Sequence, residues 1–451
     1  MRKIAIVGSG ISGLAAAHGL VKSGFDVTLY SDRAANDWLE KSRPTGTAAR
    51  FDLALTYERE LGLNFWDDVA PKGEGVYLTF CPQLHNPLVT LAGRFERPFQ
   101  AVDVRLQSAR WMAELEHRGG RVMIAKIAPA DLDAIAREHD LVIIAAGRAD
   151  LCQLFARDES RSIYDSAQRQ LAMVIATGSA RFPVPMTPVR FDFLGTDGEI
   201  FFVPYFHKEK GPSWNILVEA KRGSRLDRFS DLTSGEQVLE RLKIVVGELF
   251  PWDAGFVRDL RLADENGWLT GAVTPAVRRA SAELPSGRAI AALGDTAISY
   301  DPIAAQGANS GIKQARHLVQ ATVARGDRPF DRAWIDETFE SYFAEHARFA
   351  YKFSAILLEE ITTPAKELLI AQYGSDGRAE NTSTQQRIAN AFVENFNDPR
   401  RMTPAFTDMT AARLVVGHQS GGSWLWPGIR GRAAIAKNQV RVKFTPAERR
   451  T

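Results

Sequence analysis

The hydrophobic pattern divides the chain into stretches of different period. Lys3–Val7 (KIAIV) is a continuous apolar run, residues 14–21 carry helical apolar spacing, and residues 26–30 return to strand character. The first thirty residues therefore predict a strand, a helix and a second strand. Residues 141–146 (LVIIAA) form another uninterrupted apolar run of the kind buried in a parallel sheet, expected beside the first strand, and residues 289–293 are a shorter one. Helical spacing predicts helices over 48–63 and 106–118, the second stopped by Gly119 and Gly120, whereas 33–47 lacks periodicity and reads as an ordered loop.

From about Leu151 to Pro285 the period shortens. Residues 171–176, 189–194, 199–206 and 214–220 read as strands, and Phe191, Phe193, Phe201 and Val203 alternate at period two, as on a sheet with one buried face. Such aromatics fill a core or wall an apolar pocket. Ser234-Gly-Glu-Gln237 has the capping-box pattern and opens a helix to Phe250. Trp334, Phe339, Tyr342, Phe343, His346, Phe349, Ala350 and Phe353 recur at helical spacing, predicting one buried helix over 331–360, with core packing as the leading reading of its aromatic stripe.

Composition narrows the class. At 451 residues the chain exceeds one ordinary core, and a net charge of +2 with 24% charged residues gives no signal for nucleic acid. No apolar run approaches the roughly 18 to 20 residues of a membrane span, and the first strand begins at residue 3, so a soluble cytoplasmic protein without a membrane partner is expected. Cys81 and Cys152 have no CxxC partner and the histidines form neither HxxxH nor HExxH, so neither a disulfide framework nor a metal centre is expected.

The candidate chemistry starts at the first strand. Gly8-Ser9-Gly10-Ile11-Ser12-Gly13 follows it at once, with Asp32 nineteen residues after Gly13. In that position Gly8 makes the tight turn, Gly10 admits a pyrophosphate to the helix N-terminus, Gly13 brings the helix close to the sheet, and Asp32 accepts from a ribose hydroxyl. An empty binding fold with the same turn is the alternative. Ala146 and Gly147 end the second parallel strand and are expected near the cofactor. In the second half, Gly294-Asp295 and then Asp301-Pro302-Ile303-Ala304-Ala305-Gln306-Gly307-Ala308-Asn309 lead into a helix running to about Ala324, a second helix N-terminus aimed at a ligand. Two such termini suit FAD, with pyrophosphate at one and the flavin ring at the other. Arg43, beside Pro44, is either a phosphate contact or a surface residue.

The fold expected is α/β: a Rossmann-like FAD-binding domain (1–150 and 286–330), an inserted β-sheet substrate domain (151–285), a C-terminal helical region (331–416) and a basic tail (417–451). The tail carries Arg430, Arg432, Lys437, Arg441, Lys443, Arg449 and Arg450 and is expected to be poorly anchored.

With GSGISG, AAG, GD and DPIAAQGAN in this order, together with Tyr30-Ser31-Asp32-Arg33, Ala101-Val102-Asp103, Arg105-Leu106, Gly271-Ala272-Val273 with Pro275, and Asn395-Phe396-Asn397, the chain resembles flavoprotein monooxygenases. More closely it resembles the two-component styrene/indole monooxygenase family, over residues 1 to about 416. The resemblance implies an oxygenase that takes reduced FAD (FADH2) from a separate NAD(P)H-dependent flavin reductase, uses O2, forms a C4a-hydroperoxyflavin and oxygenates or epoxidises an indole, styrene-like or related small aromatic substrate; a homodimer is an option.

It also implies Ile11, Ser12, Arg33, Arg43, Arg105 and Ala308 as FAD contacts, with Thr47 and Gly46 near the flavin peroxide. Arg50, Val76, Phe99, Phe191 and Pro204 are the candidate substrate residues. Styrene epoxidases carry Asn-Thr-Val-Ala-His where this chain has Gly46-Thr47-Ala48-Ala49-Arg50, so the small Gly46 and Ala48 are expected to widen the pocket. Arg50 either pairs with an anionic or carbonyl group of the substrate or faces solvent or a flavin phosphate. The competing readings are a single-component NAD(P)H-dependent aromatic hydroxylase and a non-catalytic carrier of an apolar ligand.

Overall fold

The structure is a computed structural model that describes residues 1–47, 49–147, 149–178 and 182–444. The chain runs through β1 (Lys3–Val7), α1 (Ile11–Lys22), β2 (Asp26–Ser31), α2 (Ala35–Glu40), β3 (Ala49–Arg50), α3 (Asp52–Glu60), β4 (Gly73–Cys81) and β5 (Val89–Ala101). It continues with α4 (Val104–His117), β6 (Arg121–Ile124), α5 (Leu132–Glu138), β7 (Leu141–Ile144), α6 (Ala149–Cys152), β8 (Gln170–Thr177), β9 (Pro188–Leu194), β10 (Gly198–His207) and β11 (Gly211–Ala220). Then follow α7 (Gly235–Leu249), α8 (Ala254–Val257), β12 (Arg261–Leu262), β13 (Trp268–Gly271), β14 (Ala276–Val277), β15 (Ser281–Glu283), β16 (Ala289–Ala292), β17 (Ile298–Ser299) and α9 (Gln306–Arg325).

One sheet has the order β15-β16-β7-β1-β2-β6, and all its pairs are parallel except β15 with β16. β1 and β7 are the apolar runs the sequence marks, and Ile4, Ala5, Ile6, Ile143 and Ile144 are all 0% exposed between the covering helices. Order reverses at β1, which has β2 on one side and β7 on the other. In open parallel sheets the crevice beyond such a point is where ligands bind.

The second sheet has the order β12-β8-β11-β10-β9-β4-β5-β3, with β13 also on β8, and is antiparallel apart from β4 with β9. It is not confined to 151–285, because β3, β4 and β5 come from the first 150 residues. The predicted helix over 48–63 is shortened to α3, since Ala49 and Arg50 pair with Ala101 and Gln100. The expected loop 33–47 contains the short α2. Ser234 does cap α7, accepting from Gln237 N at 3.3 Å, although Gln237 Oε1 accepts from Thr233 N at 2.8 Å instead of from the cap residue.

The single helix expected over 331–360 is α10 (Arg332–Tyr342) and α11 (Arg348–Leu358), separated by a π turn at Phe343–Ala347 that shifts the aromatic stripe between its two halves. α12 (Thr363–Ala371), α13 (Thr384–Asn397) and α14 (Met409–Ser420) then cover one face of the second sheet. The described part of the tail is better anchored than expected. α15 (Leu425–Phe444) lies so close on α12 that a Cβ at Gly431 would meet Ile370 O at 1.9 Å, and Arg432 pairs with Glu367. Arg449 and Arg450 lie outside the described residues. Among the described residues no helix is long and apolar enough to cross a membrane, and no cluster of three His, Cys, Asp or Glu could hold a metal ion.

Candidate functional site

The sequence-marked glycines converge at the C-terminal edge of the parallel sheet. Gly8 follows β1 with φ +122°, and a Cβ there would meet Ala145 O at 2.5 Å and Ala146 Cα at 2.9 Å. Gly13 on α1 faces Gly8 O, which a Cβ would meet at 2.1 Å. Ser12 lies against Gly294 and Gly311, bringing the start of α1 onto the start of α9. Gly147 and Gly307 both approach Asp295, at 3.8 Å from their Cβ positions. Thus Gly8, Ser12, Gly13, Ala146, Gly147, Gly294, Asp295 and Gly307, drawn from both halves of the chain, form one contiguous lining. Ser9 ties it to the end of β2 through Ser31 Oγ (2.7 Å) and accepts from Trp38 Nε1 (3.1 Å).

Gly10 behaves differently from its two companions. Its φ of −75° and ψ of 176° suit any residue, and a Cβ on it would meet nothing within 4 Å. The protein itself therefore requires glycine at 8 and 13 but not at 10, where the open space lies at the N-terminus of α1. That terminus has no side-chain cap and no acidic residue in its first turn, and the same holds for α9. Helix starts of this kind leave N–H groups and a partial positive charge for an outside acceptor. The cradle fits the pyrophosphate of a dinucleotide such as FAD.

Asp32, at the end of β2, is exposed and chelated by Arg33 through two hydrogen bonds of 2.9 and 3.0 Å. Asp295 is surrounded by protein yet has an accessible side chain, as at the floor of a cleft. Burial pushes its carboxyl above the ordinary range, against the pull of Arg278.

α9 begins at Ala305, a non-glycine residue in the left-handed region (φ 52°, ψ 33°), after a turn that includes Pro302. Backbone of that kind costs on the order of 1–3 kcal/mol and persists where its surroundings hold it. Asn309 does so: its amide donates to Ala305 O (2.7 Å) and Ala49 O (2.8 Å) while its oxygen accepts from Phe51 N (2.8 Å). Gln306 donates to Ala304 O and Phe396 O, leaving its own buried oxygen without a donor. Asn309 knits the turn to the chain at Ala49 and Phe51 and Gln306 knits it to α13, so neither side chain occupies the helix N-terminus near Gly307 and Ala308. Thr47 donates to Asn215 Oδ1 on β11 at 3.0 Å, which commits its hydroxyl proton and leaves the oxygen able only to accept. A Cβ on Gly46 would meet nothing within 4 Å, while Ala48 lies outside the described residues.

Of the candidate substrate residues, Val76, Phe191 and Pro204 are buried on β4, β9 and β10. Phe191 lines an apolar recess between the second sheet and the C-terminal helices, together with Leu78, Phe80, Phe193, Phe392 and Phe406. Phe99 does not line it. It is 0% exposed, packed on Phe51 and Phe95, and stacked over Gly73 so closely that a Cβ there would touch its ring.

Two arginines depart from expectation. Arg105 was expected at FAD but is fully buried, with Nε and Nη2 on Asp103 (2.9 and 2.7 Å) and Nη1 and Nη2 on Asp264 (3.0 and 2.9 Å). Burial alone would lower its pKa, and the two carboxylates outweigh that and raise it. Four of its five N–H donors are taken, so it serves the junction of α4 with the Asp264 loop, where His207 joins at 2.5 Å from Asp264.

Arg50 faces neither solvent nor an open pocket. It is 1% exposed and pairs with Glu58 on α3 at 2.5 Å. Arg50→Leu should accordingly cost about 3–5 kcal/mol by stranding Glu58, read as a lower denaturant midpoint, and Arg50→Leu with Glu58→Leu should recover most of it. A single variant as stable as the parent but altered in substrate preference would return Arg50 to the substrate site. Arg43 is exposed, its guanidinium 3.9 Å from the ring centre of Trp268.

Asn215 and Glu219 were missed, and Asp301 was read only as part of its motif. For the first two the available signal was polar side chains at inward positions of an otherwise apolar strand, β11.

Comparisons with known proteins accord with this geometry. Residues 147–255 match the family described as the styrene monooxygenase A substrate-binding domain, and residues 6–59 match a NAD(P)-binding Rossmann-like domain. Styrene monooxygenase StyA of Pseudomonas fluorescens is 25% identical over 414 residues, covering 90% of this chain and 95% of that protein, and the StyA of a Pseudomonas species is 26% identical over the same coverage. In fold the chain resembles a flavoprotein/dehydrogenase from Cytophaga hutchinsonii (TM-score 0.62, 12% identity, 93% of this chain and 100% of that one) and the flavin-dependent brominase Bmp2 (TM-score 0.61, 12% identity, 97% and 99%). With the likeness to styrene monooxygenase spanning 90% of its length, and with a dinucleotide cradle at its switch point, the chain is a flavin-dependent monooxygenase that is similar to the styrene monooxygenases.

Proposed function

We propose that the chain is the oxygenase component of a two-component system, which receives reduced FAD from a separate flavin reductase and places one oxygen atom of O2 on an indole, a styrene-like compound or a related small aromatic. The observation that carries the reading is the open space at Gly10, at the uncapped start of α1, with the likewise uncapped α9 packed on the same helix at Ser12 and Gly311. FAD, when bound, supplies the oxygen activation.

The protein supplies position and dryness. The N–H groups at the start of α1 would hold the pyrophosphate, Asp32 would accept from the ribose, and the start of α9 at Gly307 and Ala308 would favour negative charge on the flavin pyrimidine. Thr47, fixed by Asn215, would offer an acceptor to the bound flavin. The apolar face of the second sheet that carries Val76 and Phe191 would orient an aromatic substrate and exclude water, whereas Pro204, paired with Trp214, alternates to the opposite face. No side chain in this set is assigned as a general acid or base.

Among the described residues the parallel sheet carries one glycine-rich strand-to-helix turn, which supports a separate source of reducing equivalents. The purified chain should therefore oxidise NADH or NADPH at a negligible rate alone and do so rapidly once a flavin reductase and FAD are added. Rapid flavin reduction by either nicotinamide without a reductase would favour the single-component hydroxylase.

A further inference from the structure

Strand β11 carries Asn215, Leu217 and Glu219 at alternate positions, hence on one face. Asn215 holds Thr47. Four residues on, about 13 Å along the strand, Glu219 lies opposite Glu199 of β10 and is 0% exposed. Glu219 lies within electrostatic reach of Glu199, of Asp301 from the turn before α9, and of Arg169. Arg169 is committed to Glu199, donating through Nε and Nη2 at 2.8 and 3.0 Å, and also to Leu358 O at 3.1 Å. Asp301 accepts from Ile303 N at 3.2 Å.

Both oxygens of Glu219 are buried and receive no N–H or O–H donor, yet its carboxyl meets that of Asp301. Two ionised carboxylates in contact cannot persist in so dry a place, and one proton between them turns repulsion into a hydrogen bond. Burial in the first place, then Asp301 and Glu199, hold the Glu219 carboxyl well above the ordinary range.

We propose that Glu219 and Asp301 share one proton, and that this buried acid pair positions the Asp301–Ala305 turn, and with it the N-terminus of α9, at the flavin site. The inference rests on the reading of α9 as a wall of that site. One strand then anchors both loops that border the flavin, through Asn215 on Thr47 and through Glu219 on Asp301. The left-handed Ala305 needs such support. Glu219 is a positioning residue, with no contact to the reacting atoms.

Infrared spectroscopy of the purified protein tests the proton directly. The parent at neutral pH should show the carbonyl stretch of a protonated carboxyl that disappears in Glu219→Gln. The pH dependence has a definite sign. A raised folded-state pKa means that the folded protein keeps a proton the unfolded chain releases, so this contribution to stability is full below the ordinary Glu pKa and is lost as pH rises toward the folded value. Glu219→Gln, whose amide donates to Asp301 without titrating, should lack that part of the decline while Asp301, Glu199 and Arg169 remain in place.

Reduced FAD titrated anaerobically should bind Glu219→Gln nearly as it binds the parent and Glu219→Ala about tenfold more weakly. Identical spectra and pH–stability curves for the parent and Glu219→Gln would overturn the shared proton. A folded Glu219→Ala that binds reduced FAD as the parent does would overturn the positioning role. Should the parent itself not bind reduced FAD, the flavin-site reading fails, and the infrared arm still decides the proton.

Discussion

Gly10→Val is expected to weaken reduced-FAD binding at least about a hundredfold, or about 2.8 kcal/mol, while melting close to the parent. The isopropyl group would enter space where no protein atom lies within 4 Å, on backbone that any residue adopts, so the fold has no reason to object. It would, however, fill the cradle in front of the N–H groups of α1. Gly13→Val makes the contrast: its side chain would collide with Gly8 O, which even a Cβ meets at 2.1 Å, and the loss should be of stability. Calorimetric titration with reduced FAD and thermal melts of both variants separate the cases. Unchanged affinity in a folded Gly10→Val would remove the cofactor from this turn.

Arg105→Met is expected to cost about 3–5 kcal/mol of stability with little selective effect on flavin affinity of the folded protein. The substitution strands Asp103, which is 0% exposed, beside Asp264, whose carboxyl lies below its ordinary range through hydrogen bonds from His207 and Arg105 that outweigh its burial. Denaturant unfolding followed alongside FAD titration distinguishes this outcome from a lost flavin contact. A variant of parental stability with weakened FAD binding would restore the role implied by family resemblance.

These two residues mark where the sequence was informative and where it was not. The glycine turn was legible because its requirement is local: strand, turn and helix lie within a few residues, and continuous apolar runs identify β1 and β7 as buried on both faces. The role of Arg105 was not, because the carboxylate that completes its pairing, Asp264, is 159 residues away. Arg50 was misjudged for a related reason. Its partner Glu58 is near in sequence, but an expected helix over 48–63 hid the strand pairing of Ala49 and Arg50 with β5, which turns Arg50 inward.

β5 itself escaped notice because Arg94, Glu96, Arg97 and Pro98 interrupt its apolar alternation, although Arg94 and Glu96 find partners in Glu74 and Arg401. Asp301 was read only as part of a motif, and its buried neighbour Glu219 becomes visible when strand register sets the two halves of the chain side by side. For the helix at 331–360 the period was right, and the π turn at 343–347 was not foreshadowed by any glycine or proline.

The most direct test of the account is a single reconstituted turnover assay. Purified protein is supplied with FAD reduced by an unrelated reductase and with isotopically labelled O2, and indole, styrene and thioanisole are each offered as substrate. The account predicts that at least one substrate gains a single labelled oxygen atom, that the product forms only when reduced flavin is delivered, and that Gly10→Val forms none at matched flavin concentration. Product formation by Gly10→Val at the parental rate, or by the chain with nicotinamide and FAD but no reductase, would contradict it.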